Sequence, residues 1–376
     1  MRSRAANSIL RGFPSDVLAV RGRRLSVELF DMPDRASIVS LADAKKPLFI
    51  GIDVGGTNIK LGLVEEAGRT VGYHSIPTKA EQGGEDATLR MANGVDHLLQ
   101  QAGAAKRDVA RVGLATPSAD IRTGRLSEPG NLPEWWNYPI RQRVSEACGL
   151  PVRFANDANA AAYGEFWGGA GADYYSMVML TLGTGVGGGI IVGDHLIEGS
   201  HSFGGECGHI LIDPSDDARL DSFGHTGSLE SYCGAYAIVG RTNDALDAGR
   251  DSSLAAVRSD GQGITPLEIA RAAESNDALA REIVMETARY LALGIVTFIH
   301  TIDPGSVVIG GGVNFGGTGH PLGEEFLQRI RDEVRPRLLS SLRDTLHIDF
   351  AKLGGDAGYI GAAGLARLEQ KQTKEE

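Results

Sequence analysis

The sequence predicts an α/β protein made of two similar halves. Apolar strand-like runs alternate with helix-length amphipathic segments, and glycines mark the strand ends. One strand–glycine turn–strand theme also occurs twice, as LFIGIDVGGTNIKLGLV at 48–64 and SMVMLTLGTGVGGGIIVGDHLI at 176–197. Such an internal duplication predicts two related domains facing each other.

The elements follow in order. Residues 1–47 stand apart, with seven arginines in the first 35 positions mixed with Asp16, Glu28, Asp31 and Asp34. No apolar core of a secretory signal follows, and the acids count against a transit peptide, so a poorly ordered extension is expected. After the first hairpin come a strand near Val71–Ile76 and a helix over Asp86–Ala102. RVGLATPSAD is a buried strand entering a proline-broken loop, GNLPEWWNYPI a loop with aromatic anchors, and RQRVSEACG a short helix. VRFANDANAAAYGEFWGG reads as a strand feeding an alanine-rich helix, after which the second hairpin begins. Helices are expected over 228–248, 265–272 and 278–300. A last buried strand, SVVIGGGV, and a helix over Gly358–Gln370 complete the chain.

Composition narrows the function. The 376 residues are enough for two substantial cores. The 51 glycines cluster in short runs, which points to tight turns near ligands. A net charge of −11 makes nucleic acid an improbable partner for the bulk of the surface. Three scattered cysteines form neither a disulfide framework nor a CxxC pair, so a reducing, cytoplasmic setting is expected. No apolar run approaches the roughly 20 residues of a membrane span, and no membrane association is expected.

Four segments carry chemistry. In DVGGTNIK, Gly55 and Gly56 let backbone N–H groups approach an anion, Thr57 adds a hydroxyl, and Asp53 can hold Mg²⁺. The chain continues as a strand through Lys60, so this is a hairpin and not a dinucleotide fingerprint. A plain glycine hairpin turn is the competing reading. The second copy, with Gly183, Thr184 and Gly185, favours two hairpins gripping a polyphosphate from both sides. In NDANAAAYGE, Asn156 and Asp157 lie where a strand enters a helix. The helix N-terminus favours an ionised Asp157, which can accept a proton from a hydroxyl attacking a γ-phosphate. Helix capping explains the same residues on that segment alone; the neighbouring phosphate hairpins reverse the balance. Gly310, Gly311 and Gly312 of VVIGGGV leave space for a flat ring, or form a simple strand-to-helix turn. GECGHILIDPSDDARLDSFGHTGSLES, at 205–231, brackets Glu206, His209 and Glu230 between glycines as a site does.

With these pieces in order, the chain resembles the ROK family of bacterial sugar kinases and sugar-responsive repressors. The resemblance spans about residues 48–368, through DVGGTNIK, NDANAAAYGE, LGTGVGGG, GGECGH, the glutamate of GSLE, and IGGGV. It implies an actin-like ATPase (ribonuclease H-like) fold of two domains around a central cleft. Residues 48–154 with 356–370 would form the smaller domain and 155–355 the larger. Asp157 would be the catalytic base, and Asn156, Glu206, His209 and Glu230 the sugar contacts. ATP would be held by Asp53, Gly55, Gly56, Thr57, Lys60, Gly183, Thr184, Gly185 and Gly310–Gly312, with Mg²⁺ near Asp53. The implied activity is an ATP-dependent hexose kinase, most simply acting on the 6-hydroxyl of glucose, in a homodimer. Alternatives are a kinase for N-acetylmannosamine, fructose or another hexose, an enzyme using polyphosphate, and a repressor. For a repressor, the extension is too short and too broken to form a winged DNA-binding domain.

Two departures stand out. Most members carry CxCGxxGCxE and bind a structural zinc there, but this chain reads DSFGHTGSLE, with Asp221, Phe223 and Ser228 in place of the cysteines. No thiolate zinc site is therefore expected. A substitute site from His209, His225 and Cys233 is the remaining option, and packing of Phe223 with hydrogen bonds is expected to keep the loop's shape. The second departure is Pro117-Ser118, where the family has Pro-Gly.

Overall fold

The structure, a computed structural model, describes residues 38–127, 132–259 and 263–375. The first half runs β1 (Leu48–Val54), β2 (Asn58–Val64), β3 (Thr70–Pro77), α1 (Gly83–Ala102), β4 (Val109–Thr116), the short β5 (Ala119–Asp120) and β6 (Arg125–Leu126), α2 (Ile140–Cys148) and β7 (Val152–Asn156). The helix α3 (Asp157–Gly168) leads into β8 (Ser176–Leu182), β9 (Val186–Val192) and β10 (His195–Leu196). Six α-helices and two strands follow among the described residues: α4 (Glu230–Cys233), α5 (Ala235–Asp247), α6 (Leu254–Ser259), α7 (Pro266–Glu274), α8 (Ala278–Ile302), β11 (Ser306–Gly310), α9 (Pro321–Val334) and β12 (His347–Phe350). α10 (Ala357–Glu375) closes the chain.

The sequence repeat is a repeat of topology. One sheet has the order β3-β2-β1-β4-β7 and the other β10-β9-β8-β11-β12. In each, an antiparallel hairpin (β1–β2, β8–β9) is extended by a third antiparallel strand on one side and two parallel strands on the other. Strands of this kind read as nearly unbroken apolar runs because both faces are covered. β1 accordingly buries Leu48, Phe49, Ile50, Ile52 and Val54.

Glycines set how closely the helices approach. A Cβ at Gly51 would fall 1.8 Å from the Tyr359 carbonyl oxygen, and one at Gly113 1.8 Å from that of Ala362. α10 therefore lies directly on the backbones of β1 and β4. The fully buried carboxylate of Glu165 accepts backbone N–H groups from Ala170, Lys352 and Leu353, at 2.8, 3.1 and 2.6 Å. That ties the C-terminal turn of α3 to the chain leaving β12.

Several sequence expectations change here. Residues 38–47 are part of the fold: Val39 donates to the Thr70 carbonyl, and Val39, Leu41 and Ala44 pack on the first core. Residues 1–37 lie outside the described residues. The helix expected over 228–248 breaks at Gly234, whose φ of −67° and ψ of 153° are extended. SVVIGGGV is not the last strand, because β12 pairs parallel beyond it. Among the described residues, α8 is long and apolar enough to cross a membrane by length and composition alone. Its most apolar stretch is 56% buried inside the fold, in the core that also holds α5, α7 and α9.

Candidate active site

A cleft of about 1590 Å³ opens between the two sheets, and the turns that the repeat places face to face line it. Of the residues singled out in the sequence, Asp53, Gly55, Lys60, Asn156, Asp157, Gly183, Gly185, Glu206, His209, Glu230 and Gly310–Gly312 line this cleft. Gly56, Thr57 and Thr184 are near it in sequence but do not line it.

The first hairpin turn is pinned from behind. Gly55 N–H donates to the Asn58 carbonyl at 3.0 Å, and Thr78 donates its hydroxyl to the Gly55 carbonyl at 2.6 Å and its N–H to the Thr57 carbonyl. Asp53 and Lys60 are cross-strand partners in the β1–β2 ladder. The Lys60 ammonium also reaches the Gly355 carbonyl at 2.5 Å, just before α10. A Cβ at Gly358 would fall 2.4 Å from Asp53 Oδ2, so Asp53 sits over the first turn of α10. Burial and then the Asp157 carboxylate push Asp53 up to about 6, with Lys60 offsetting part of the rise.

Asn156, and not Asp157, caps α3. Its Oδ1 accepts the N–H groups of Ala158 and Asn159 at 2.9 and 3.2 Å. Asp157 is thereby the first helical residue, with one oxygen accepting Ala158 N–H at 2.8 Å. The sequence reading let the helix N-terminus hold its pKa down. Burial is the larger effect, and its carboxyl lies above the ordinary value.

The far wall carries the polar cluster. Glu230, at the start of α4, is buried; Oε2 accepts Val186 N–H at 2.9 Å and Oε1 accepts the Ser222 hydroxyl at 2.8 Å. Partly exposed Glu206 is raised above its usual range by burial, with His209 lowering it and Asp157 and Glu230 adding to the rise. His209 Nε2 lies 4.0 Å from Glu206 Oε2, and its Nδ1 lies 3.2 Å from Asp221 Oδ2.

The 221–230 loop departs from expectation in two ways. Phe223 is 70% exposed and stands edge-on to the His209 ring at 5.4 Å, so it does not pack the loop into a core. Cys233 turns its thiol to the Thr287 carbonyl, while His209, Asp221 and His225 bring ligand-type atoms within 4.8 Å of one another. A set with two imidazoles, a carboxylate and no thiolate does not fit the tetrahedral cysteine site of the resemblance.

Other cleft residues were not singled out in the sequence. The loop after β11 brings Asn314, Gly316 and Thr318, and the one before α10 brings Lys352 and Gly354. Their only advance signal was glycine density in NFGGTG and KLGGD. Ser118, singled out in the sequence as the second departure, lines the cleft at φ 51°, in the left-handed region that favours glycine.

Comparison with known proteins agrees with this geometry. A glucokinase from Halalkalibacterium halodurans is 33% identical over 327 residues, 87% of this chain and 97% of that protein. The crystal structure of a ROK hexokinase from Thermus thermophilus superposes with a TM-score of 0.74 at 31% identity, covering 86% of this chain and 99% of that one. A ROK family glucokinase from Streptomyces griseus, solved with glucose and AMPPNP, gives 0.67 at 33% identity over 85% and 99%. The architecture is thus the two-domain actin-like ATPase fold. The sequence profile of the ROK family matches residues 49–369, and the chain belongs to that family.

Proposed function

We propose that this protein is an ATP-dependent hexose kinase that transfers the γ-phosphate to a sugar hydroxyl, in the first instance the 6-hydroxyl of glucose. The observation that carries the reading is the position of Asp157. It lines the cleft together with Gly183, Glu206, His209 and Glu230, and its carboxylate is close enough to act on both Asp53 and Glu206. Similarity to glucokinases over most of both chains supports the same activity.

In this reading Glu206, His209, Glu230 and Asn156 hold the sugar through hydroxyls that donate and accept together. Asp157 takes the proton of the attacking hydroxyl, and its raised pKa makes it a better base once ionised. The backbones of the Gly55 and Gly183 turns would face the phosphates, while Gly310–Gly312 and the adjoining loop face the nucleoside. Asp53 would hold Mg²⁺, which neutralises phosphate charge; a buried carboxylate beside a second one suits a cation. Division into 48–154 with 356–370 and 155–355 allows the halves to close and exclude water. We further infer a cytoplasmic homodimer without a structural zinc.

The test is ADP release coupled to a reporter, measured against glucose, mannose, N-acetylmannosamine, N-acetylglucosamine, fructose and allose. Turnover is expected with at least one, glucose foremost, and with none the reading fails. A gel shift against genomic fragments separates the repressor alternative and is expected to be negative.

A further inference from the structure

We propose that Asp221 is a positioning residue, holding the His209 ring with its proton on Nδ1 so that a bare Nε2 faces the substrate as a hydrogen-bond acceptor. The substrate side of this inference rests on the hexose-kinase reading; the Asp221–His209 pair does not.

Asp221 has no exposed side-chain surface, yet both of its carboxylate oxygens are engaged. Oδ1 accepts the backbone N–H groups of Phe223 and His225, each at 2.9 Å. Oδ2 accepts the Ser228 hydroxyl at 3.2 Å and faces Nδ1 of His209 at 3.2 Å and of His225 at 3.4 Å. Two backbone donors on one oxygen fix which oxygen meets the imidazole. Burial alone would raise this carboxyl, but the N–H groups of His225 and Phe223, then His209, outweigh it and leave it below the ordinary value.

An ionised carboxylate only accepts hydrogen bonds, and a neutral imidazole has one N–H to give. Once that proton is directed to Asp221, Nε2 is an acceptor. It stands 4.0 Å from Glu206 Oε2, too far for a bond between them. The cleft wall then presents two acceptors side by side, matched to two neighbouring hydroxyls of a pyranose. Phe223 stands edge-on to the ring on its exposed side. The sequence marked Asp221 only as a residue that is not cysteine; the fold makes it the centre of the loop.

Asp221→Asn separates polarity from shape. Asparagine keeps an oxygen for the two backbone donors but turns an NH₂ group towards His209, which moves the ring proton to Nε2. Nitrogen-15 NMR of histidine-labelled protein, with His209→Gln to assign the signals, reads this directly. The wild type is expected to carry the His209 proton on Nδ1 and Asp221→Asn on Nε2. Hexose KM should rise about 10-fold in that variant with kcat within about 3-fold, as loss of one hydrogen bond implies. A wild-type proton on Nε2, or on both nitrogens, overturns the proposal. So does a stoichiometric metal whose chelation shifts the His209 signals. A reversed tautomer with unchanged hexose KM overturns the substrate role. If no hexose is turned over while the tautomers behave as expected, the pair stands and the kinase reading falls.

Discussion

The Glu230 carboxylate occupies the space that a side chain on residue 185 would fill: a Cβ at Gly185 would lie 1.9 Å from Glu230 Oε2. That oxygen accepts the N–H of the next residue, Val186. The glycine-rich turn therefore does two jobs with two glycines. Gly183 has nothing within 4 Å of its would-be Cβ and is open to the cleft, whereas Gly185 is the seat of the Glu230 carboxylate.

Gly185→Ala should therefore displace Glu230 and raise hexose KM by about 10-fold or more, with nucleotide KM nearly unchanged. Gly183→Ala should do the reverse, since its methyl group meets only what binds in the cleft. Steady-state kinetics with each substrate varied in turn checks the pair. Equal effects of both variants on both substrates would contradict the division.

Asp53 makes stability depend on pH. Its folded pKa, about 6, lies above the ordinary 3.8, so the native state holds this proton more tightly than the unfolded chain. Stability from this group is complete below about pH 4 and is lost as pH rises through about 6. The loss is about 3 kcal/mol at most, from a shift of roughly two units. Denaturant unfolding of ligand-free wild type and Asp53→Asn should show the variant gaining on the wild type between pH 4.5 and pH 7. A constant difference across that range refutes the assignment.

Ser202 links the two halves. Its hydroxyl accepts the Ile121 N–H at 3.1 Å and donates to Asp120 at 3.3 Å, and Arg153 pairs with Glu198 at 2.5 Å on the same loop. That loop leads into Glu206. Ser202→Ala should raise hexose KM about fivefold while kcat stays within about twofold, the loss expected for about 1 kcal/mol of hydrogen bonding. A fall in kcat alone would show that the contact acts elsewhere.

What the sequence made legible, and what it hid, follows from physical scale. The paired hairpins were readable because a buried strand on each side of a glycine turn is a strong local pattern. Glu206, His209 and Glu230 stood out because chemistry-bearing residues lay between glycines. The packing of Glu230 beside Gly185 was hidden because a glycine motif does not say whether the space it leaves holds a ligand or another side chain. β12 was missed because HIDF is four residues with two exposed, too short to show periodicity. The role of Asp221 was hidden because its donors converge only when residues 209, 223, 225 and 228 are folded together. The capping role of Asn156 was foreseen in kind, but the burial that raises Asp157 belongs to the assembled cleft.

The most direct test of the account compares wild type with Asp157→Ala in two assays, glucose-dependent ADP release and glucose binding by calorimetry. Hexose-dependent release is expected of the wild type. In the variant, turnover should fall by about 10²- to 10⁴-fold, the usual contribution of a general base, while glucose affinity stays within about threefold. Turnover retained in Asp157→Ala would contradict it.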